Sequence, residues 1–207
     1  MPGISSPDVR RPEPPIAGLV LAAGGGSRYG GPKALARDAD GTPWLDRAVR
    51  ALAAGGCARV VVVLGADADA AEALLDPSAG VVVVRAEDWA TGLSASLRAG
   101  LRAAAALEPQ ATAVVVVPVD VPDLAAELVA RLVTSLETSG RGVDDGTLRR
   151  AVFGGRPGHP VVLGRRHWAP LLSELTGDSG ARGYLAAREV DEVECEDLGT
   201  GLDVDQP

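Results

Sequence analysis

Val20-Leu-Ala-Ala-Gly-Gly-Gly-Ser-Arg-Tyr-Gly-Gly-Pro-Lys-Ala-Leu35 joins an apolar run to five glycines, two cations and a proline within sixteen residues. The apolar lead-in, Ile16 to Leu21, predicts a buried strand. Glycines just past its end let the backbone turn and aim N–H groups inward around an anion. Arg28 and Lys33 add full positive charge to that cradle. A cationic, glycine-rich loop leaving a strand end suits the phosphate chain of a nucleotide. A merely structural turn rarely needs five glycines beside Arg and Lys. Two familiar phosphate loops fail against it. A Walker loop needs Gly-Lys-Ser/Thr in succession, whereas Pro32 separates Gly31 from Lys33, and Ala34 supplies no hydroxyl. A dinucleotide fingerprint starting at Gly24 finds Gly26 in place but meets Tyr29 where its third glycine belongs.

Outward from this loop, helix and strand patterns alternate. Thr42 to Ala54 carries Leu45, Ala48, Val49 and Leu52 at helical spacing, and Gly55-Gly56 supplies a stop. Arg59 to Leu64 is a continuous Val-rich run, which predicts a strand buried on both faces. The alternation continues with a short helix at 67–75, a strand at 81–84, an Ala/Leu-rich helix at 91–107, a strand at 113–119 and a helix at 124–138. Four apolar strands separated by helices predict an α/β fold: a three-layer, Rossmann-like, mostly parallel sheet with helices on both faces. Ligands of such sheets sit outside the carboxyl ends of the strands, so the loops after Leu21, Leu64, Val84 and Val119 should share one rim. That rule makes Asp120 a neighbour of the glycine loop. The polar stretch 139–146 predicts a mobile loop or insertion boundary. Beyond it the chain suggests short strands over 148–163, a helix from Arg165 interrupted at Pro170, a helix over 179–188 and a last strand at 190–196.

Composition removes several classes of function. With 207 residues, 46% hydrophobic, the chain can bury a core of its own, and only 3% aromatics means a core built from Ala, Val and Leu. A net charge of −8 argues against a nucleic-acid partner, which needs a basic face. Cys57 and Cys195 with His159 and His167 are too few and too scattered for a zinc site, and predict free thiols in a cytoplasmic protein. No run approaches the ~20 apolar residues of a membrane helix, so no membrane partner is expected. The Pro-rich first fifteen residues are expected to be a flexible tail.

Asp120, directly after the run Val114 to Val119, stands where it could hold a hard divalent cation beside the phosphates. Magnesium favours one or two carboxylates together with phosphate oxygens and water, so a second acid is wanted, and Asp203 and Asp205 are the candidates. Their spacing puts both carboxylates on one face of an extended segment. Helix capping behind Pro122 is the competing role for Asp120, although Asp123 could fill it equally well. For Asp203 and Asp205 the alternative is a solvated acidic tail.

Taken together, Leu21-Ala-Ala-Gly-x-x-Ser-Arg-x-Gly-x-Pro-Lys33 resembles the signature of the molybdenum-cofactor nucleotidyltransferase family, the MobA-like NTP transferases. Four further blocks follow in the family's order: Trp89-Ala-Thr-Gly-Leu-Ser-Ala-Ser-Leu97, Asp120-Val-Pro122, Gly155-Arg-Pro-Gly-His-Pro-Val161 and Gly177-Asp-Ser-Gly-Ala-Arg182. Gly201-Leu-Asp-Val-Asp-Gln-Pro207 is similar to the closing Asp-x-Asp-Thr-Pro, with Gln206 in place of Thr and no final helix after it. Leu-Ala-Ala-Gly is most similar to the molybdopterin cytidylyltransferase branch.

The resemblance implies a nucleotide-diphospho-sugar transferase-like fold over 16–207, with a nucleotide-binding part over about 16–122 and an acceptor part over about 123–207. It implies transfer of NMP from an NTP, CTP first, to a phosphorylated small-molecule acceptor of molybdopterin type, with Mg2+ as cofactor and a molybdenum hydroxylase as downstream partner. Within it, Arg28, Lys33 and Asp120 are catalytic. Leu21, Ala22, Ala23, Gly24, Gly25, Gly26 and Ser27 join Arg28 and Lys33 in holding the triphosphate, and the backbone of Gly92, Leu93 and Ser94 holds the base. Asp120, Asp203 and Asp205 hold metal, while His159, Asp178 and Arg182 face the acceptor. Each of these segments also has an ordinary local reading: Thr91 to Ser96 as a helix cap, Asp178 or Ser179 as an N-cap, Arg182 as a solvated helix residue, His159 as a turn or core histidine. Guanylyl or sugar-phosphate transfer, or a nucleotide-binding module without turnover, are the alternatives.

Overall fold

The computed structural model describes residues 15–107, 109–134 and 142–204. The tail at 1–14, residues 139–141 of the polar stretch predicted to be mobile and Asp205 lie outside the described residues. One seven-stranded sheet forms the middle layer, in the order β3-β2-β1-β4-β6-β5-β7. Its strands are β1 Ile16–Ala22, β2 Arg59–Leu64, β3 Val82–Arg85, β4 Ala113–Pro118, β5 Leu148–Phe153, β6 Arg156–Gly164 and β7 Asp191–Glu194. β1 pairs in parallel with both β2 and β4, and β2 with β3. β6 runs antiparallel to β4 and β5, and β7 parallel to β5. Only β6 therefore opposes the direction of the rest.

The Val runs explain why the sheet is the centre. In β4, Val115 and Val117 face one layer and Val114 and Val116 the other, every one of them at most 5% exposed. A strand alternates its side chains between two faces, so burial on both sides demands an unbroken apolar run. One layer contains α1 Trp44–Ala54, α2 Ala68–Glu72 and α4 Ala126–Thr134, which pack Leu45, Leu52, Ala71, Leu128 and Leu132 against the sheet. The opposite layer contains α3 Leu93–Ala105, α5 Trp168–Glu174 and α6 Arg182–Ala186, which bring Leu97, Leu101, Trp168, Leu171 and Tyr184. Helices thus cover both faces.

Two local readings change. The helix from Arg165 is not interrupted at Pro170: a 3-10 turn at Arg165–His167 leads straight into α5, where Pro170 occupies the first turn. Proline is tolerated there because the N–H groups of a first turn have no intrahelical partner. The loosely patterned stretch after 148 is a hairpin, with Phe153 paired to Arg156 across Gly154-Gly155. Both glycines have positive φ, 59° and 73°, the requirement of a tight two-residue turn that matches strand twist. That turn sends β6 back between β4 and β5.

Candidate active site

β1 lies between β2 and β4, so the loops leaving the carboxyl ends of β1 and β4 start side by side at one point of the rim. A crevice opens at such a point, and the glycine loop and Asp120 border it. The ladder of β1 and β4 continues past its last paired residues, with the Val119 N–H donating to Leu21 O at 3.1 Å. The Ala66 N–H donates to Ala23 O at 3.0 Å, tying the loop after β2 to the start of the glycine loop. Ala22 and Ala23 are buried, so what they offer a ligand is backbone.

The loop closes on one carbonyl. The N–H groups of Tyr29, Gly30 and Gly31 all donate to Gly26 O, at 3.0, 2.9 and 3.2 Å. Gly26 has φ 61°, and a Cβ there would collide with Gly31 O. Because the second half of the loop spends its donors internally, inward N–H groups for an anion have to come from Gly24 to Arg28. Ser27 and Arg28 lie exposed on that turn, and Gly25 sits beneath the Trp89 indole, 3.1 Å from where its Cβ would be. Trp89 also fills the space left by Gly65. Sequence reasoning gave this tryptophan no role, and the signal for it was available only as two distant glycines that leave room for one ring.

Lys33 opens the short 3-10 turn Lys33–Leu35, anchored by buried Ala34 and Ala36. Its Nζ donates to Asp120 Oδ2 at 2.6 Å, and the two side chains are only 16% and 14% exposed. The other carboxylate oxygen, Asp120 Oδ1, is buried without a hydrogen-bond partner. A buried anionic oxygen left unpartnered is costly. It is the kind of donor a hard divalent cation takes, so the residues present fit such an ion. Among the described residues no group of three or more His, Cys, Asp or Glu side chains is arranged to hold a metal, which leaves the remaining ligands to phosphate oxygens, water or residues outside them.

The chain's last described segment returns to the backbone of this residue. The Val204 N–H donates to Asp120 O at 3.0 Å, which brings the exposed Asp203 to the same rim. Asp123 also holds this segment. Its Oδ2 accepts from Thr200 Oγ1 at 2.7 Å and from the Thr200 N–H, which latches the closing segment in place. His159, on β6 beside β4, is held below its usual pKa by burial. Asp120, the Val116 backbone and Asp203 counter that effect, and Arg182 adds to it. Burial favours the uncharged imidazole, and its Nδ1 is buried without a partner. Asp120, Asp203 and Arg182 thus all act electrostatically on His159 from separate parts of the chain.

At the other end of the crevice, Gly92 precedes α3 with φ 119°, and a Cβ there would meet Gly177 O at 2.5 Å and Asp178 Oδ1 at 2.6 Å. The Ser94 N–H, expected to face a base, donates to Gly177 O at 3.0 Å. The segment at 177–182 therefore packs directly on the start of α3. Ser94 is buried, while Asp178 and Arg182 are exposed. Both cysteines are free and buried, and burial pushes the Cys57 thiol up to about 12, as suits core residues rather than reactive ones. No helix among the described residues is long and apolar enough to cross a membrane.

The MobA-like NTP transferase domain matches residues 18–193, which spans the glycine loop, Asp120, His159 and the 177–182 segment. The chain belongs to that family. This MobA-like chain is 36% identical over 204 residues to nicotine blue oxidoreductase of Paenarthrobacter nicotinovorans, covering 93% of each protein. Its fold is similar to the crystal structure of an Rv0371c homologue from Mycobacterium sp. strain JC1, with TM-score 0.75 and 28% identity over 92% of this chain and 90% of that one. It is also similar to Rv0371c of Mycobacterium tuberculosis H37Rv in complex with manganese, with TM-score 0.67 and 26% identity over 87% and 88% of the two chains. The MobA-like fold and the nucleotidyltransferase ancestry expected of the glycine loop are thus established.

Proposed function

We propose that the protein transfers NMP from an NTP, CTP before the others, to a phosphorylated small-molecule acceptor of molybdopterin type. One observation carries this reading: Lys33 and Asp120 meet at 2.6 Å at the carboxyl ends of β1 and β4, beside the glycine loop. An acceptor phosphate oxygen attacks the α-phosphorus, a new P–O bond forms, the bond between α-phosphorus and bridging oxygen breaks, and pyrophosphate leaves with that oxygen. Such transfer needs positioning and charge neutralisation more than covalent chemistry from the protein.

In this scheme the N–H groups of the first half of the loop and the Arg28 guanidinium hold the triphosphate. Lys33 neutralises charge developing on the leaving phosphates. Gly92 and Leu93 border the base, with Ser94 available only if Gly177 O releases its N–H. His159 offers a hydrogen bond to the acceptor, and Arg182 and Asp178 flank it. Asp120 through Oδ1, with Asp203 or Asp205, would hold Mg2+, which supplies Lewis-acid neutralisation of the phosphates when bound. The manganese bound by Rv0371c supports a divalent cation in this fold.

The test is pyrophosphate release from CTP, GTP, ATP and UTP with molybdopterin-type acceptors. Asp120→Asn is expected to cut turnover by on the order of 10²–10³ and Lys33→Ala by roughly 10², the scale of losing one preorganised charge partner. Turnover within fivefold of the parent in Asp120→Asn defeats the assignment. The 36% identical relative, nicotine blue oxidoreductase, favours a second reading, redox conversion of nicotine blue, for which NADH or NADPH is the electron source to test. Consumption of NAD(P)H by the purified protein with that compound, and no pyrophosphate from any NTP, would select it. Tyr29 in place of a fingerprint glycine argues against a dinucleotide on this loop.

A further inference from the structure

The Lys33–Asp120 contact raises a question that the transfer scheme leaves open. The carboxylate assigned to a divalent cation already carries a cation of the protein's own, at 2.6 Å on Oδ2, while Oδ1 remains buried and unpartnered. Lys33 cannot easily step away by backbone movement. Leu35 N–H donates to Pro32 O at 2.9 Å and Ala36 N–H to Lys33 O at 3.1 Å, and Ala34 between them is 1% exposed. A dication arriving on Oδ1 would stand within a few ångströms of a largely covered ammonium, where repulsion between like charges is weakly screened. A triphosphate changes that balance, because its oxygens can accept from the ammonium and ligate the cation together.

We infer that Lys33 is a resident counter-cation for Asp120: it keeps the carboxylate closed to divalent metal until a nucleoside triphosphate draws the ammonium away. The inference rests on the nucleotidyl-transfer reading for the identity of the anion. Metal and nucleotide then bind as a coupled pair. The same ammonium that repels the metal alone favours the metal–nucleotide complex, and by linkage each ligand strengthens the other by one common factor. The side-chain rotation moves Nζ from carboxylate to phosphate without moving the loop, so the coupling needs no domain closure.

The experiment is Mn2+ binding to the full chain, followed by electron paramagnetic resonance of free Mn2+, with and without CTP and with no acceptor. The parent should bind Mn2+ alone weakly and at least about tenfold more tightly with CTP. Lys33→Met and Lys33→Gln, two neutral replacements of similar length, should bind Mn2+ alone at least about tenfold more tightly than the parent and gain less from CTP. Lys33→Arg, which keeps the charge, should behave as the parent does. Adding Asp120→Asn should remove the tight site from the Lys33→Met protein.

The inference is overturned if both neutral variants bind Mn2+ alone no more tightly than the parent while Asp120→Asn abolishes binding. If Asp120→Asn leaves Mn2+ binding intact in both backgrounds, the carboxylate is no metal ligand and the inference falls with that assignment. A failure of the transfer reading looks different: Mn2+ and CTP couple through Lys33 as expected, yet no acceptor yields pyrophosphate.

Discussion

Replacing Gly26 with alanine tests the idea that the glycine loop is a preorganised cradle rather than a slack connection. Gly26 sits at φ 61°, where an L-residue costs about 1–2 kcal/mol. An alanine Cβ would also overlap Gly31 O, so the turn from 26 to 31 must open. Opening it weakens the three N–H groups that converge on Gly26 O, from Tyr29, Gly30 and Gly31. Each such bond contributes about 0.5–1.5 kcal/mol net. Strain and the loss of one or two of these bonds together come to about 3 kcal/mol, which converts to roughly 100-fold weaker binding of a ligand that needs the closed loop.

The assay is CTP binding by isothermal titration calorimetry in the presence of Mn2+, with circular dichroism to check that the sheet and helices persist. Gly31→Ala is the matched control, because nothing lies within 4 Å of its Cβ and its φ is not left-handed. The control should stay within about threefold of the parent, under about 1 kcal/mol. Gly26→Ala binding CTP within threefold of the parent would refute the preorganisation argument. A Gly31→Ala loss as large as that of Gly26→Ala would refute it too, since clearance for the ligand and not loop conformation would then be the cause.

Asp123→Ala removes the acceptor of the Thr200 N–H and Oγ1, and bonds to a charged acceptor contribute about 1.5–3 kcal/mol. Amide hydrogen exchange over 199–204 should accelerate by on the order of tenfold or more, and unchanged exchange there would contradict the latch. Gly92→Ala is expected to lower Tm by roughly 3–8 °C through strain at φ 119° and the clash with Gly177 O, and an unaltered melting curve would show that the 177–182 segment gives way freely. Cys57 gives a pH prediction. Its thiol stays protonated up to about 12 in the fold, so its contribution to stability is intact below the ordinary thiol range near 9 and is lost as pH rises from there toward 12, with a slope of at most about 1.4 kcal/mol per pH unit. Urea unfolding should show Cys57→Ala falling less steeply than the parent over that interval, and parallel curves would reject the assignment.

Much of the architecture was readable because it follows from local composition. A Val run such as 60–64 has no polar face to show to water, so a strand covered on both sides was its only economical state, and four such runs alternating with helical patterns required helices on both faces. The fate of the chain after 148 was harder to read. Whether a short strand joins an edge or inserts between two others depends on which neighbours its backbone finds. The Gly154-Gly155 turn sets only the hairpin, not the place of β6 beside β4. At Pro170 the residue type suggested a break, but its position in the first turn of α5 made it harmless.

The candidate site divides in the same way. That a cationic glycine loop follows a buried strand, and that an acid follows the strand at 113–118, was legible in residue order alone, because those properties reside in neighbouring residues. Parallel register then made Lys33 and Asp120 rim partners in principle. That they touch, that Asp120 keeps one oxygen unpartnered, that the Asp123 carboxylate and the Asp120 carbonyl both hold the closing segment, and that Gly177 O occupies the Ser94 N–H follow only from the folded arrangement. The reason is physical: which donor meets which acceptor across a crevice is set by side-chain reach and backbone approach between segments far apart in the chain. No local pattern of residue types encodes those distances.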